Sequence, residues 1–235
     1  MINKYKMVKV ISFSLWGDKP IYNIGAIKNV ECAKDYYPDF ECWFYIHLPS
    51  VPKETISELQ THTNVKLIFK DGDLNNSKPM MWRFEAIDNS NVSIMLSRDT
   101  DTRILLREKL AVDEWINSNK LFHIMRDHPY HSYPIQGGMF GMKKNPKIIS
   151  LCHLINNFKQ YGIRNYDQDF LKNIIYPIIK NDALIHSSFC KLAKEIIKPF
   201  PISYDEEFRF VGEYINSDET GVIEHRNMIK NKLKK

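Results

Sequence analysis

The chain has 235 residues, of which 43% are hydrophobic and 26% are charged. This length and composition predict one globular domain with a substantial core, and they exclude disordered and fibrous architectures. No apolar run approaches the roughly 18 residues of a membrane-spanning helix. The first residues lack the pattern of a secretory signal, and the four cysteines form no C-x-x-C pair. We therefore expect a cytoplasmic protein with reduced cysteines.

The net charge of +5 is concentrated at the C-terminus. The stretch from Arg226 to Lys235 contains five basic residues and no acidic one, and the rest of the chain is neutral. A neutral body argues against nucleic-acid binding as the main function. We expect this basic tail to be solvated and dispensable for folding, with weak contact to an anionic membrane as the alternative.

The first half of the chain alternates predicted strands and helices. The strands are predicted over Met7–Leu15, Glu41–Leu48, Val65–Phe69 and Val92–Ser97, and the helices over Asn23–Tyr36, Lys53–His62, Met80–Asp88 and Arg107–Asn117. This order predicts an α/β fold with a mostly parallel central sheet and helices on both faces.

The second half is less regular. It contains a predicted strand over Leu121–Met125, a glycine-rich apolar segment over Gly137–Met142, and predicted helices over Ile148–Phe158 and Gln168–Lys180. Short aromatic segments follow Pro199. No repeat or low-complexity linker separates the halves, so we expect a single domain with a variable C-terminal portion.

An acidic motif, Asp99-Thr100-Asp101, follows the fourth predicted strand between Arg98 and Arg103. In extended chain, side chains two residues apart point the same way. Asp99 and Asp101 would then lie together beyond the carboxyl edge of the sheet, where open α/β sheets bind ligands. Two carboxylates there suit a divalent cation, and the arginines suit phosphates. The alternative is a charged turn in which Asp101 caps the next helix.

Polar residues also follow the fifth predicted strand. Arg126 and Asp127 come at its end, and Gly137 and Gly138 follow after a short connection. Glycines let a backbone approach a ligand closely, so this region is predicted to line a pocket.

Four histidines are weighed as possible ligands. His123, His128 and His131 match no familiar zinc spacing, so we expect them to be hydrogen-bonding wall residues. His186 follows an apolar stretch, where a lone histidine is ordinarily a packing residue.

Three further segments are candidates for the same crevice. Asp167, Gln168 and Asp169 open a predicted helix, where capping is the alternative role. Arg83 is placed to reach the strand ends. Trp16-Gly17 follows the first strand and would border a base pocket, with core packing as the alternative.

Together these motifs resemble the GT-A family of nucleotide-sugar-dependent glycosyltransferases over about residues 7–190. Asp99-Thr100-Asp101 lies where that family carries its D-x-D motif. The segment from Asp167 to Leu171 resembles its D-Q-x-x-L element, and His186 falls where a later histidine often completes the metal site. The run from Arg98 to Gly141 is similar to small single-domain enzymes of large DNA viruses and bacterial polysaccharide clusters, so a viral protein would act in the host cytoplasm.

The resemblance implies transfer of a sugar from a nucleotide sugar, expected to be UDP-linked, to a hydroxyl of a glycan or glycoprotein. Mn²⁺ or Mg²⁺ held by Asp99, Asp101 and His186 would stabilise the diphosphate leaving group. The expected substrate-binding residues are Trp16, Gly17, Arg83, Arg98, Asp99, Arg126, Gly137, Gly138, Asp167 and Gln168. Asp127 and Asp167 are the candidates for contacts with sugar hydroxyl groups, and Asp169 and Asp127 are the candidate catalytic bases.

This reading divides the chain into a nucleotide-binding half (7–120), a donor-sugar and acceptor half (121–198) and a C-terminal segment (199–235) that matches nothing in the family. A nucleotidyltransferase is the first alternative, although the Ser14–Gly17 segment has few glycines for a phosphate loop. A glycoside hydrolase would use paired carboxylates without a metal–diphosphate site. A non-catalytic membrane-binding module would rest on the tail alone.

Overall fold

The computed structural model describes residues 7–72, 74, 78–145, 150–159 and 166–234. Its eight strands form one sheet in the order β3-β2-β1-β4-β6-β5-β7-β8. The strands are β1 (Val8–Leu15), β2 (Phe40–His47), β3 (Val65–Lys70), β4 (Val92–Ser97), β5 (Phe122–Arg126), β6 (Phe140–Lys143), β7 (Ala183–Ser187) and β8 (Ile197–Lys198). Only β6 runs antiparallel to its neighbours, β4 and β5, among these eight strands. The α/β class and the mostly parallel sheet are confirmed.

Helices cover both faces of the sheet. They are α1 (Pro20–Tyr36), α2 (Lys53–Gln60), α3 (Leu106–Ile116), α4 (Leu151–Asn157), α5 (Tyr166–Phe170), α6 (Tyr176–Ile179) and α7 (Ile223–Leu233). A proline in the first turn starts α1 three residues before the predicted Asn23, because a helix needs no N–H donor there.

Three predicted helices differ in detail from those observed. Lys78–Asp88 is a 3-10 helix, and a π-helical turn over Leu171–Ile175 joins α5 to α6. The predicted helix over Ile148–Phe158 is observed as Leu151–Asn157, and residues 148–149 lie outside the described residues.

The central strands are buried on both faces of the sheet, as is typical of parallel strands covered by helices. On one face Ile11, Phe13 and Leu15 of β1 pack in a core with α1, α2 and α3. On the other face Val10 and Met95 pack in a second core with the 3-10 helix, α5 and α6. Polar side chains are therefore concentrated at the strand ends.

The C-terminal segment packs against the domain, which corrects the expectation of a solvated tail. Ile229 of α7 is fully buried. The Arg226 guanidinium donates to the buried carboxylate of Glu213 at 2.5 Å and to Glu207 at 2.8 Å. The outer lysines of α7 are exposed, so weak membrane contact stays a prediction. Within the described part of the chain, no helix combines the length and apolarity needed to cross a bilayer.

Candidate active site

A crevice of about 300 Å³ opens at the carboxyl edge of the sheet, where β1 and β4 end. It is lined by Ser14, Leu15, Trp16, Tyr22, Met80, Arg83, Asp99, Thr100, Asp101, Asp167 and Gln168. Six of the residues proposed from the sequence for substrate or metal binding therefore lie together: Trp16, Arg83, Asp99, Asp101, Asp167 and Gln168.

The acidic turn after β4 is held in place by α1. A side chain at Gly25 would collide with the carbonyl oxygen of Thr100, so only glycine permits this approach. The amide of Asn29 donates to the carbonyl of Thr102 at 2.7 Å and to that of Gly25 at 2.9 Å. These contacts fix the backbone that carries Asp99 and Asp101 toward the crevice.

Arg83 bridges two carboxylates at the base of the crevice. Its Nη1 donates to Oδ1 of Asp99 at 2.5 Å, and its Nη2 donates to Oδ2 of Asp167 at 2.9 Å. The residue is only 5% exposed. Its backbone N–H donates to Oγ of Ser14 at the end of β1, at 3.0 Å. Arg83 thus joins three segments of the site, and its guanidinium is already engaged by protein carboxylates.

The glycines at 137 and 138 allow this close packing. A Cβ at Gly138 would collide with the carboxylate of Asp99, and one at Gly137 would collide with Arg83 and Asp167. The Gln168 amide donates to the carbonyl of Ile135 at 2.9 Å and accepts from the N–H of Gly137 at 3.1 Å. The two glycines therefore lie against the site carboxylates, without being part of the crevice lining.

The crevice carries an excess of negative charge. Burial, and then the charge of Asp99, raise the pKa of Asp101 to about 7. Burial also raises the pKa of Asp167, although the Arg83 guanidinium opposes this shift. The pKa of Tyr22 is raised by burial and then by Asp101. Among the described residues, the lining thus contains three carboxyl groups and one guanidinium, Arg83, which already pairs with two of them.

The residues at Asp99 and Asp101 fit a divalent cation. Oxygen ligands are those that Mg²⁺ and Mn²⁺ prefer. Burial and then the charge of Asp99 raise the pKa of Asp101, and a bound cation would offset both by stabilising the ionised carboxylates. The fit extends to two protein ligands only, because the described residues contain no cluster of three or more His, Cys, Asp or Glu side chains that could hold a metal.

His186 lies away from this pair, so its prediction as the third metal ligand is wrong. It is on β7, which β6 and β5 separate from β4, and three strand spacings amount to roughly 14 Å. His186 is fully buried, with Nδ1 2.8 Å from Nε2 of His123 and Nε2 3.2 Å from Glu114. His123 is likewise apart from His128 and His131, which pack around Phe210.

Two arginines predicted to bind substrate are buried in the domain and absent from the crevice lining. Arg98 is 2% exposed and donates to Glu108 at 2.8 Å and to the carbonyl of Ser97 at 2.7 Å. Arg126 is fully buried and donates to Glu195 at 2.5 Å. Their substrate roles are corrected to internal ion pairs, because buried guanidinium groups need a carboxylate partner.

Asp127 is also fully buried, so its proposed roles as base and sugar contact are corrected. Its carboxylate accepts from Arg107 at 2.8 and 2.9 Å, from Ser188 at 2.6 Å, from Tyr204 at 2.8 Å and from the N–H of Val211 at 3.0 Å. The carboxylate is thus occupied by five hydrogen bonds from within the protein. Asp127 therefore ties the C-terminal segment to the sheet.

The remaining candidates lie at the edge of the site. Asp169 is half-buried and does not line the crevice, so its role as a base stays a prediction. Gly17 forms a turn with a φ of 78°, and its N–H donates to Oγ of Ser50 at 2.8 Å. That turn places Trp16 in the lining without bringing Gly17 into it.

The sequence reasoning missed several residues that build the site. Ser14, Tyr22 and Met80 line the crevice, and Gly25 and Asn29 hold its acidic turn. A glycine and an asparagine four residues apart in the long helix α1 were the available signal for close contact with a loop. Nothing in the local pattern indicates Tyr22.

No family model matches the sequence, and no curated protein is similar to it. The fold is similar to that of a glycosyltransferase involved in glycosylation of the major capsid of PBCV-1, at 15% identity over 77% of this chain and 82% of that one, with a TM-score of 0.48.

Two further solved structures are also similar. A mannosyltransferase from Pyrobaculum calidifontis, in complex with GDP-Man and Mn²⁺, has a TM-score of 0.50 at 11% identity over 84% of this chain and 58% of that one. A 4-diphosphocytidyl-2C-methyl-D-erythritol synthase from Anaerococcus prevotii has a TM-score of 0.48 at 8% identity over 98% and 97%. At such identities the likeness concerns the fold. The chain has the GT-A fold that its sequence predicts.

Proposed function

We propose that the protein is a metal-dependent glycosyltransferase. It transfers a sugar from a nucleoside diphosphate sugar, and the donor that we propose is a UDP-sugar. The observation that carries this proposal is the charge of the crevice. Among the described residues, three carboxyl groups line it, and the guanidinium of Arg83, which lines it with them, is bound by two of these carboxyl groups. A diphosphate cannot approach such a surface unless a cation lies between the two sets of negative charges.

Asp99 and Asp101 are the residues that would hold this cation. Mn²⁺ or Mg²⁺ bound there would neutralise the charge that develops on the departing diphosphate. Because the described residues offer two carboxylate ligands here, the remaining ligands would be donor phosphate oxygens and water.

The other lining residues divide the crevice into a side that suits a nucleobase and a side that suits a sugar. Leu15, Trp16 and Met80 give it an apolar wall that suits the face of a nucleobase. Asp167 and Gln168 are carried by the second half of the chain and suit the hydroxyl groups of the donor sugar. The proposed nucleotide-binding half (7–120) and donor-sugar half (121–198) therefore both contribute to one site.

Arg83 acts as a positioning residue in this proposal. By holding Asp99 on one side and Asp167 on the other, it fixes the distance between the cation-binding and sugar-binding carboxylates. Pre-organised groups of this kind lower the barrier because they need no rearrangement as the bond breaks. The charge of Arg83 also opposes the rise that burial causes in the pKa of Asp167.

The test is donor hydrolysis in the absence of an acceptor. The protein is incubated with UDP-glucose, UDP-galactose, UDP-N-acetylglucosamine and GDP-mannose, each with Mn²⁺, with Mg²⁺ or with EDTA, and released nucleoside diphosphate is measured. We expect slow, metal-dependent release from one donor, abolished by Asp101→Asn. Asp113→Asn is the matched control, since Asp113 is a half-buried carboxylate of α3 that pairs with Lys109 and does not line the crevice.

Two outcomes would contradict the proposal. Undiminished release in EDTA would remove the role of the cation. Formation of a nucleotide sugar from a nucleoside triphosphate and a sugar 1-phosphate, without donor hydrolysis, would instead identify a nucleotidyltransferase.

A further inference from the structure

The C-terminal segment reaches the acidic turn of the crevice. The N–H of Ile215 donates to the carbonyl of Asp101 at 2.8 Å. Ile215 also forms a β-bridge with Gly221, which closes a short hairpin over residues 215–221. The carboxylate of Glu219 in this hairpin accepts two hydrogen bonds from Arg103, at 2.6 and 3.0 Å. Two anchors thus fix the hairpin to the turn that carries Asp99 and Asp101.

Tyr214 is held outward at the start of this hairpin. Its neighbours Glu213 and Ile215 are 3% and 6% exposed, whereas Tyr214 is 40% exposed. Glu213 is secured by its ion pair with Arg226. A large side chain is therefore presented to solvent from a rigid backbone, which reduces the entropy lost when a ligand binds it.

Tyr214 directly precedes Ile215, whose N–H donates to the carbonyl of Asp101, so its backbone lies beside the acidic turn of the crevice. The pKa of Tyr22, which lines the crevice, is raised by burial, by Asp101, by Tyr214 and by Asp99, in that order. The apolar lining residues Leu15, Trp16 and Met80, in contrast, all come from the first 80 residues of the chain.

We propose that Tyr214 binds a sugar ring of the acceptor, and hence that the acceptor is a carbohydrate; this inference rests on the proposed glycosyl transfer. An exposed tyrosine stacks its ring on the C–H face of a sugar and hydrogen-bonds a hydroxyl group. An anionic acceptor would need a free cation here. The nearby guanidinium groups are engaged, Arg103 by Glu219 and Arg226 by Glu213 and Glu207.

Saturation-transfer NMR tests this with the full chain and a mixture of lactose, cellobiose, maltose and methyl mannoside, in the presence of UDP and Mn²⁺. The variants are Tyr214→Ala and Tyr214→Phe, with Tyr130→Ala as the matched control, because Tyr130 is an exposed tyrosine whose ring packs on His128 and His225 instead of next to the hairpin anchor. We expect saturation of the C–H protons of one saccharide with the wild type and with Tyr130→Ala. That saturation should fall at least fivefold in Tyr214→Ala and persist in Tyr214→Phe.

The proposal is overturned by equal saturation in Tyr214→Ala and the wild type, or by no saturation of any saccharide with the wild type. Donor hydrolysis is measured on the same variants and separates the two proposals. A wild type that hydrolyses a donor but binds no saccharide keeps the proposed function and removes the role of Tyr214. If Tyr214→Ala raises the KM for the donor instead, Tyr214 belongs to the donor site. Absence of donor hydrolysis contradicts the proposed function itself.

Discussion

Replacing Asp127 by Asn should destabilise the fold strongly without acting on the chemistry directly. The carboxylate accepts five hydrogen bonds from protein donors and is fully buried. An amide nitrogen in place of either oxygen would face an N–H of Arg107, a donor against a donor. It would also leave the Arg107 guanidinium, 7% exposed, without its charged partner.

Breaking one partner of a buried ion pair costs about 3–5 kcal/mol. For a domain of this size each kcal/mol lowers the Tm by about 2–4 °C, so the Tm should fall by about 6–20 °C. The assay is urea unfolding followed by tryptophan fluorescence. An unchanged m-value would show that the variant and the wild type unfold in the same way, so that their unfolding free energies can be compared. Asp113→Asn on the surface of α3 should change the unfolding free energy by less than about 0.5 kcal/mol.

A second substitution, at the ion-pair partner Arg107, tests the same reasoning. Arg107→Met added to Asp127→Asn should recover part of the lost stability, because no unpaired charge is then buried. The reasoning is refuted if Asp127→Asn unfolds like the wild type and yet abolishes donor hydrolysis, since that result would return Asp127 to the chemistry.

Three further predictions concern the tail, the histidines and the glycine beside Asp99. Truncation after Val222 should lower the Tm by several degrees, because it leaves Glu213 buried without Arg226 and exposes the surface that Ile229 covers; an unchanged melting curve would contradict the docking of α7. Burial lowers the pKa of His131 to about 3, and its Nδ1 accepts from the backbone N–H of Asp127 and His128. Because the pKa of His131 is lower in the folded state, the unfolded chain binds the proton at a higher pH. The stability that neutral His131 contributes is therefore complete above about pH 6.5 and is lost as the pH falls toward 3. The unfolding free energy of His131→Asn should therefore depend on pH less steeply than that of the wild type, by about 1.4 kcal/mol per unit between pH 6 and 4, and equal slopes would contradict the assignment. Gly138→Ala should displace the Asp99 carboxylate and reduce donor hydrolysis at least tenfold, as measured by released diphosphate, and wild-type rates would show that this contact is not needed.

The sequence predicted the features that depend on periodicity and local chemistry. Alternating strands and helices indicated the parallel sheet, and the spacing of Asp99 and Asp101 after a strand placed both carboxylates at its edge. Arg83 and Asp167 were predicted separately for the crevice. Their ion pair was not, because it joins residues 84 positions apart.

The errors concern buried charge. Arg98, Arg126 and Asp127 look like site residues in the sequence because charged side chains are rarely buried. Each is instead buried with a partner of opposite charge that lies far along the chain or on another element. His186 was placed by resemblance, and the strand order puts two strands between its own and the acidic turn. Pairings of this kind depend on tertiary contacts that no local pattern encodes.

The central claim is that Asp99 and Asp101 hold a divalent cation onto which the donor diphosphate binds. Electron paramagnetic resonance of Mn²⁺ measures this directly, with the wild type, Asp101→Asn and Asp113→Asn each titrated in the presence of UDP and, in parallel, of GDP. The account predicts that the wild type and Asp113→Asn reduce the signal of free Mn²⁺ in the presence of one nucleotide beyond what that nucleotide does alone, and that Asp101→Asn does not. Equal Mn²⁺ binding by Asp101→Asn and the wild type would contradict it.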